Sequence, residues 1–373
     1  MSSVIRPDPS LVEHFDSSAV DLPRVALIAA SLDILGGQGV QADVLAQRLR
    51  DEGYAVDFIP INPAFPRGLR WLRRVPFART LLNQFLYVPS LWRLRRADVV
   101  HIFSASYWSF LLTVVPAILA GRTFGKRVVL NYHSGEAQDH LAHWGVRVHP
   151  WLQLVDRIVV PSVYLQQVFK YHGYASRVIH NVVDTSRFVY RDRDTRRLRL
   201  LSTRNLEPYY RIDIVLRAFA LVKARYPRAT LTIAGYGSEE RRLRAIAMAL
   251  HVDGVRFVGR VDPEAMPRLY DAADIFLNAS VVDNQPLSVL EAFAAGTPVV
   301  STPTGDIPNM VQDGVTGLLV ARENPAAMAD AVAQLVENPL RALALAREAR
   351  AQLARHSWSG VRDEWAAVYA GIR

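Results

Sequence analysis

NASVVDNQPLSVLEAFAAGTPVVSTPTGDIP, residues 278–308, carries the reading of the whole chain. An apolar strand at 275–277 runs into a polar loop containing Asp283. A helical pattern opens near Pro286, carries Glu291 and stops at Gly296, and a second apolar strand at 298–300 follows at once. Strand, loop, helix and strand in that order make up the repeating unit of a parallel α/β sheet. Ligands of such sheets sit in the crevice beyond the carboxyl ends of the strands, where this loop lies. The adjoining helix N-terminus offers unpaired N–H groups and a partial positive charge, which suit a diphosphate. Asp283 and Glu291 have seven residues between them, so one carboxylate sits in the loop and the other inside the helix. Carboxylates accept hydrogen bonds from sugar hydroxyls and repel phosphate. The unit therefore suits a ligand with both groups, a nucleotide sugar.

Apolar, β-branched runs alternate with helical patterns twice over. The first set lies at 25–30, 56–60, 99–103, 128–132, 158–161 and 178–180, and the second at 198–202, 230–234, 256–258, 275–277, 298–301 and 318–320. The polar TSRFVYRDRDTRRLR, residues 185–199, separates them as a linker. This pattern predicts the α/β class, with two tandem doubly wound, Rossmann-like domains facing a cleft. The 373 residues, half of them apolar, suffice for two cores. The expected division is a loose tail at 1–20, a first domain at 21–189 and a second at 190–356. SWSGVRDEWAAVYAGIR, at 357–373, reads as a helix.

The chain has no cysteine, which excludes disulfides, thiolate metal sites and cysteine nucleophiles and fits a reducing cytosol. The first residues, MSSVIRPDPSLVEHFDSS, lack the apolar core of a signal peptide. The longest apolar stretch, 108–121, is too short for a bilayer, contains Pro116 and reads as a buried helix. The net charge of +9 is unevenly spread. Arg67, Arg70, Arg73, Arg74, Arg79, Arg93, Arg95 and Arg96 crowd residues 65–96 with no acidic residue, interleaved with Trp71, Leu72, Phe77, Leu81, Phe85, Leu86 and Trp92. Basic residues beside aromatics describe an element facing anionic lipid. A surface helix pair with solvated arginines is the plainer reading. A nucleic-acid patch is the third, without an accompanying motif, so no nucleic-acid partner is expected.

The 278–308 stretch resembles the E-x7-E region of retaining glycosyltransferases of the GT-B fold, the large family 4 that includes sucrose synthases and bacterial mannosyltransferases. The likeness extends through AFAAGTPVV to GVTGLLV at 314–320. Two departures are plain. Asp283 stands where the family usually has Glu, and Asn284-Gln285-Pro286 replaces a Gly-Phe-Gly type of loop. The resemblance implies a GT-B fold whose C-terminal helix crosses back to the first domain.

It also gives roles to residues whose types alone leave them open. Gly36, Gly37 and Gly39 precede a helix after the first strand, either as a tight turn or as a close approach to ligand. The resemblance puts Gly36 and Gly37 beside donor and acceptor. His133 ends the strand RVVLNYH, where it either caps the next helix or points into the crevice; the resemblance makes it the active-site histidine beside the donor sugar. Glu136 and Asp139 either bind acceptor or are first-turn helix acids. In the second domain, STRNLEPYYRIDIVL resembles the segment whose Arg and Lys bind the diphosphate. Arg204 matches the Arg, Tyr210 occupies the Lys position, and Arg211 either supplies the missing charge or faces solvent. Gly235 and Gly237 resemble the turn beside the nucleotide, and Val258, Gly259 and Arg260 the strand whose backbone holds the base. Asn284, Leu287, Ser288 and Glu291 complete the expected donor site, with Asp283 on the sugar and Glu291 on the ribose. Asp192-Arg193-Asp194 has the spacing of metal-binding carboxylates in the other glycosyltransferase fold, but sits among arginines in the linker rather than after a strand. No bound metal or cofactor is expected.

The expected function is a retaining, metal-independent glycosyltransferase moving a sugar from a nucleotide diphosphate sugar to an acceptor hydroxyl, on a lipid-linked or polysaccharide acceptor. It would be cytoplasmic, or peripheral on the cytoplasmic membrane face through residues 65–96. A GT-B nucleotide-sugar epimerase and a non-catalytic nucleotide-sugar scaffold remain open beside it.

Overall fold

The structure, a computed structural model, describes residues 22–31, 37–104 and 106–372. The first sheet contains β1 (Val25–Ala29), β2 (Val56–Pro60), β3 (Val99–Ser104), β4 (Arg127–Tyr132), β5 (Arg157–Val160) and β6 (Arg177–Val178). The second contains β7 (Arg199–Ser202), β8 (Thr230–Ala234), β9 (Val255–Gly259), β10 (Ile275–Leu277), β11 (Val299–Ser301) and β12 (Leu318–Leu319). The strand orders are β2-β1-β3-β4-β5-β6 and β12-β11-β10-β7-β8-β9. Neighbouring strands pair in parallel throughout, so each crossover carries a helix or loop across a face of the sheet.

Every residue of β1 and β3 is buried, as strands covered on both faces must be. Alternation assigns the faces. Ala26 and Ile28 enter one apolar cluster while Val25, Leu27 and Ala29 enter the other. In the second sheet Ile275 and Leu277 pack on one side and Phe276 on the other. The apolar stretch 108–121 follows β3 as a helical run with a widened turn at Phe110–Val114, just before Pro116, which has no N–H to donate. Phe110, Val114, Ala117 and Ile118 are buried.

The linker is packed rather than loose. Phe188 lies in the core of the second sheet, and Arg193 donates to Asp271 O at 2.7 Å and Ala295 O at 2.6 Å. The acids flanking Arg193 hold structural positions. Asp192 pairs with Arg347 at 2.7 Å, and Asp194 accepts from its own turn and from Arg196 Nε at 2.8 Å. The last helix, Trp358–Ala370, crosses to the first sheet. Its Val361, Trp365, Val368 and Tyr369 join the cluster of Val25, Leu27 and Val99. Tyr369 Oη and His101 Nδ1 share a hydrogen bond of 2.8 Å beneath β3.

Candidate donor site

In doubly wound sheets the crevice opens where the strand order reverses. The first sheet reverses between β1 and β3, the second between β7 and β10. The loops after these four strands meet at one cleft of about 500 Å³, lined among others by Gly37, Ser104, Arg204 and Asp283. Two helices begin on it, Gly37–Asp51 and Leu287–Ala295. A Cβ placed on Gly37 would lie 3.9 Å from Leu287 Cδ1, so the two N-termini nearly touch across the cleft. First-turn amides have no intrahelical partner, and the two dipoles present positive ends to the same space.

The loops are fixed by close backbone approaches. A Cβ on Gly235, whose φ is +153°, would collide with Arg204 O, and one on Gly237 with Leu206 O. The glycine turn thus lies against the Arg204 loop, where Leu206 N donates to Tyr236 O at 3.0 Å and Ser238 Oγ donates to Glu207 Oε2 at 2.6 Å. Gly305, at φ +56°, leaves room for Asp283 O in the same way.

Arg204 lies at the centre. Its Nη2 donates to Asp283 Oδ2 at 2.7 Å and its Nη1 to Ser288 Oγ at 3.1 Å, and the guanidinium stacks 4.0 Å over the Tyr210 ring. Both members of the ion pair are buried or nearly so. Burial alone would lower the arginine pKa; Asp283 together with Tyr210 and Tyr270 outweighs it and holds the pKa above the ordinary value. Asp283 also accepts from Ser280 Oγ at 2.9 Å and from Asn284 N at 3.1 Å. The carboxylate expected to meet the sugar is therefore engaged in orienting Arg204. Tyr210, at the expected lysine position, supplies a flat support for Arg204 instead of a charge.

Glu291 borders the cleft one turn into its helix, and Tyr270 Oη donates to its Oε2 at 2.8 Å. Its carboxyl is pushed up to about 7, chiefly by burial, with the Tyr270 hydrogen bond, Arg187 and Arg204 pulling the other way. On the opposite wall, burial drives the His133 pKa down to about 3. A neutral imidazole results, tilted 33° against the Phe103 ring with centres 5.0 Å apart.

Of the residues singled out in the sequence, Gly37, His133, Arg204, Gly235, Arg260, Asp283, Asn284, Leu287, Ser288 and Glu291 line this cleft. Gly36 lies outside the described residues. Gly237, Val258 and Gly259 are not in the lining; Gly237 packs against the Arg204 loop, and Gly259 accepts from Gly235 N at 2.9 Å. Arg211, left open between diphosphate and solvent, is not in the lining. It begins the helix Ile212–Arg225 with φ of 48°, and its guanidinium is held by Asp213 at 2.9 and 3.0 Å and by Glu323, away from the lining. One step past Tyr210 the chain turns left-handed, so the side chain points along the helix start rather than into the cleft. Asn284 reaches across to the first domain, accepting from Ser162 Oγ and donating to His133 O at 3.4 Å. Glu136 also borders the cleft, while Asp139 accepts from Tyr107 Oη and pairs with His143. Sequence reading missed Arg187, Gln38 and Tyr209, which also border the cleft. Gln38 and Tyr209 lie within stretches it singled out, between Gly37 and Gly39 and beside Tyr210, while Arg187 arrives through the linker.

Comparison with known proteins agrees with this fold. The family profile "Glycosyl transferases group 1" matches residues 184–352, and "Glycosyltransferase Family 4" matches 35–187. A D-inositol 3-phosphate glycosyltransferase of Nocardioides is 33% identical over 95% of this chain and 91% of its own length. With the enzyme of the same name from Corynebacterium urealyticum the identity is 33%, over 43% of this chain and only 39% of that protein. Among solved structures, a sucrose-phosphate synthase from Thermosynechococcus elongatus superposes with a TM-score of 0.75 over 94% of this chain and 99% of that one, at 19% identity. Anabaena HepE, solved with UDP-glucose, superposes with a TM-score of 0.73 over 94% and 100%, at 16% identity. These neighbours share the two-domain GT-B fold, and the chain belongs to the group 1 glycosyltransferases of family 4.

Proposed function

We propose that the protein is a retaining, metal-independent glycosyltransferase that takes a sugar from a nucleoside diphosphate donor to a hydroxyl of a lipid-linked or polysaccharide acceptor. The observation that carries this is the junction of two helix N-termini beside an arginine held by a buried carboxylate. Such a site is aimed at the charge that develops on a departing diphosphate. Arg204 and the first-turn amides at Leu287 and Ser288 receive the phosphates, and Glu291 accepts from the ribose hydroxyls. Neutral His133 faces the sugar. As the glycosidic C–O bond breaks, the leaving phosphate oxygen takes the proton of the acceptor hydroxyl, whose oxygen bonds the anomeric carbon on the same face. Asp283 is read as a positioning residue for Arg204. The neighbour solved with UDP-glucose supports the donor class, and the relatives named as glycosyltransferases support the reaction class.

The test begins with thermal shift against UDP-, GDP-, ADP- and dTDP-sugars, followed by transfer of labelled sugar from the best donor to membrane lipid extract and to glycan. The expected result is a stabilising donor, a labelled product with the donor's anomeric configuration, and no effect of EDTA. An inverted product or loss with EDTA would overturn the mechanism. Donor binding without any transfer would favour a scaffold, a reading kept alive because Asp283 already neutralises Arg204 in the free cleft. Sugar interconversion without acceptor would identify an epimerase.

A further inference from the structure

The crossover between β2 and β3 leaves an apolar face uncovered. Its helix, Pro76–Ser90, turns one side inward, where Tyr87 is buried and donates to Thr113 O at 2.7 Å and Asn83 Nδ2 donates to Ile61 O at 2.7 Å. The other side carries Phe77, Leu81 and Phe85, spaced by four residues and therefore stacked in one ridge. Their exposures are 86%, 72% and 76%. Trp71 at 62% and Trp92 at 64% stand at either end of the same segment. A bulky apolar ridge this open needs an occupant. Charge selects it: residues 65–96 contain eight arginines and no acid. Arg93 pairs with Asp57 and Arg95 stacks 4.2 Å over Trp92, while Arg67, Arg70, Arg79 and Arg96 are exposed.

We infer that this face docks on an anionic lipid bilayer, with Phe77, Leu81 and Phe85 entering the acyl boundary and the arginines meeting lipid phosphates. The segment leaves the first sheet at the carboxyl end of β2, the end on which the cleft opens. The inference extends the proposed function to where its acceptor is met, and its test reads binding without transfer.

The full chain is sedimented with phosphatidylcholine vesicles with and without phosphatidylglycerol. Binding is expected only with phosphatidylglycerol, and the tryptophan emission should shift to the blue. Phe77→Ser, Leu81→Ser and Phe85→Ser together should lower partitioning by more than tenfold. Arg67→Ser, Arg70→Ser and Arg79→Ser should lower it about fivefold each. The donor-induced thermal shift should stay unchanged in both variants, which separates lost docking from lost folding. Absence of parent binding to anionic vesicles would overturn the inference. So would a triple apolar variant that binds like the parent, or a variant that turns a dimer into a monomer, which would assign the ridge to a second copy of the chain. Displacement by a short RNA with no lipid binding would assign the arginines to nucleic acid.

Discussion

Glu291 and Arg204 face the same ligand with opposite electrostatic problems. Glu291 is held protonated up to about pH 7 by burial, while ribose hydroxyls donate best to its ionised form. Affinity for the sugar nucleotide should therefore rise as pH increases through about 7 and level off above, and Glu291→Gln should bind weakly and flatten the dependence. Titration calorimetry across that range checks this, and an unchanged slope in the variant would remove Glu291 from the site. The sign for stability is the reverse. A carboxyl raised above its unfolded value contributes stability below the unfolded pKa and loses it as pH rises through the folded one, so ligand-free Glu291→Gln should be more stable than the parent at pH 8, by about 1–3 kcal/mol. The two arginines divide just as sharply. Arg204→Ala should cut turnover about 10²–10³-fold and cost about 3–5 kcal/mol, because Asp283 is left buried and unpaired. Arg211→Ala should keep turnover within about twofold, losing stability at Asp213 instead. A large kinetic loss there would restore Arg211 to the donor site. Family resemblance gave Arg204 its place in the sequence reading, and the loop-to-helix spacing gave Glu291 its place. They could not show that Asp283 would close on Arg204, since that pair spans 79 positions and depends on how two loops meet.

The loop after β10 was legible as an element: its strand, its polar turn, the helix beginning at Leu287 and the stop at Gly296, whose left-handed φ of 73° ends the helix. Its unusual Asn284-Gln285 was visible too, but its purpose was not, because its partners belong to another domain. Gln285 Oε1 accepts from Asn181 N at 2.7 Å, Asn181 Nδ2 donates to Gln285 O at 3.1 Å, and Gln285 Nε2 meets His180 Nδ1 at 2.9 Å. Asn284 joins Ser162 and His133 O, and Asp306 accepts from Tyr164 N at 3.1 Å. The substituted loop ties the second domain to the first, beside the site it helps to line. Gln285→Ala should accelerate hydrogen exchange at the Asn181 amide and enlarge the ligand-free radius of gyration in solution scattering. Donor affinity should move less than about threefold while kcat falls, since the donor contacts stay and the facing wall loosens. Unchanged exchange at Asn181 would mean the contacts carry no weight in holding the domains.

The whole molecule is tied a second time by its last helix, and here local pattern and final position part company. Val361, Trp365, Val368 and Tyr369 lie at spacings of four, three and one, a helical stripe readable from residues alone. That the stripe docks on the first sheet rather than the second depends on a site prepared far away in sequence, by Leu27, Val99 and His101, and only family resemblance pointed to it. Trp365 is buried there, with its ring 4.9 Å from that of His101 and 5.7 Å from that of Tyr369. Trp365→Ala should remove about 3–5 kcal/mol from the first domain and leave the core of the second untouched, because none of its apolar cluster includes Trp365. Calorimetry of the variant should then resolve two transitions, the lower belonging to the first domain. Nucleoside diphosphate sugar should raise the upper one, since Arg204, Leu287, Ser288 and Glu291 all belong to the second domain. The lower transition should follow only weakly, through His133 and Gly37. A single transition that moves down as a unit would show that the linker, the crossing helix and the Asn284-Gln285 contacts make the two domains one cooperative body. The donor should then raise that single transition whole, in variant and parent alike.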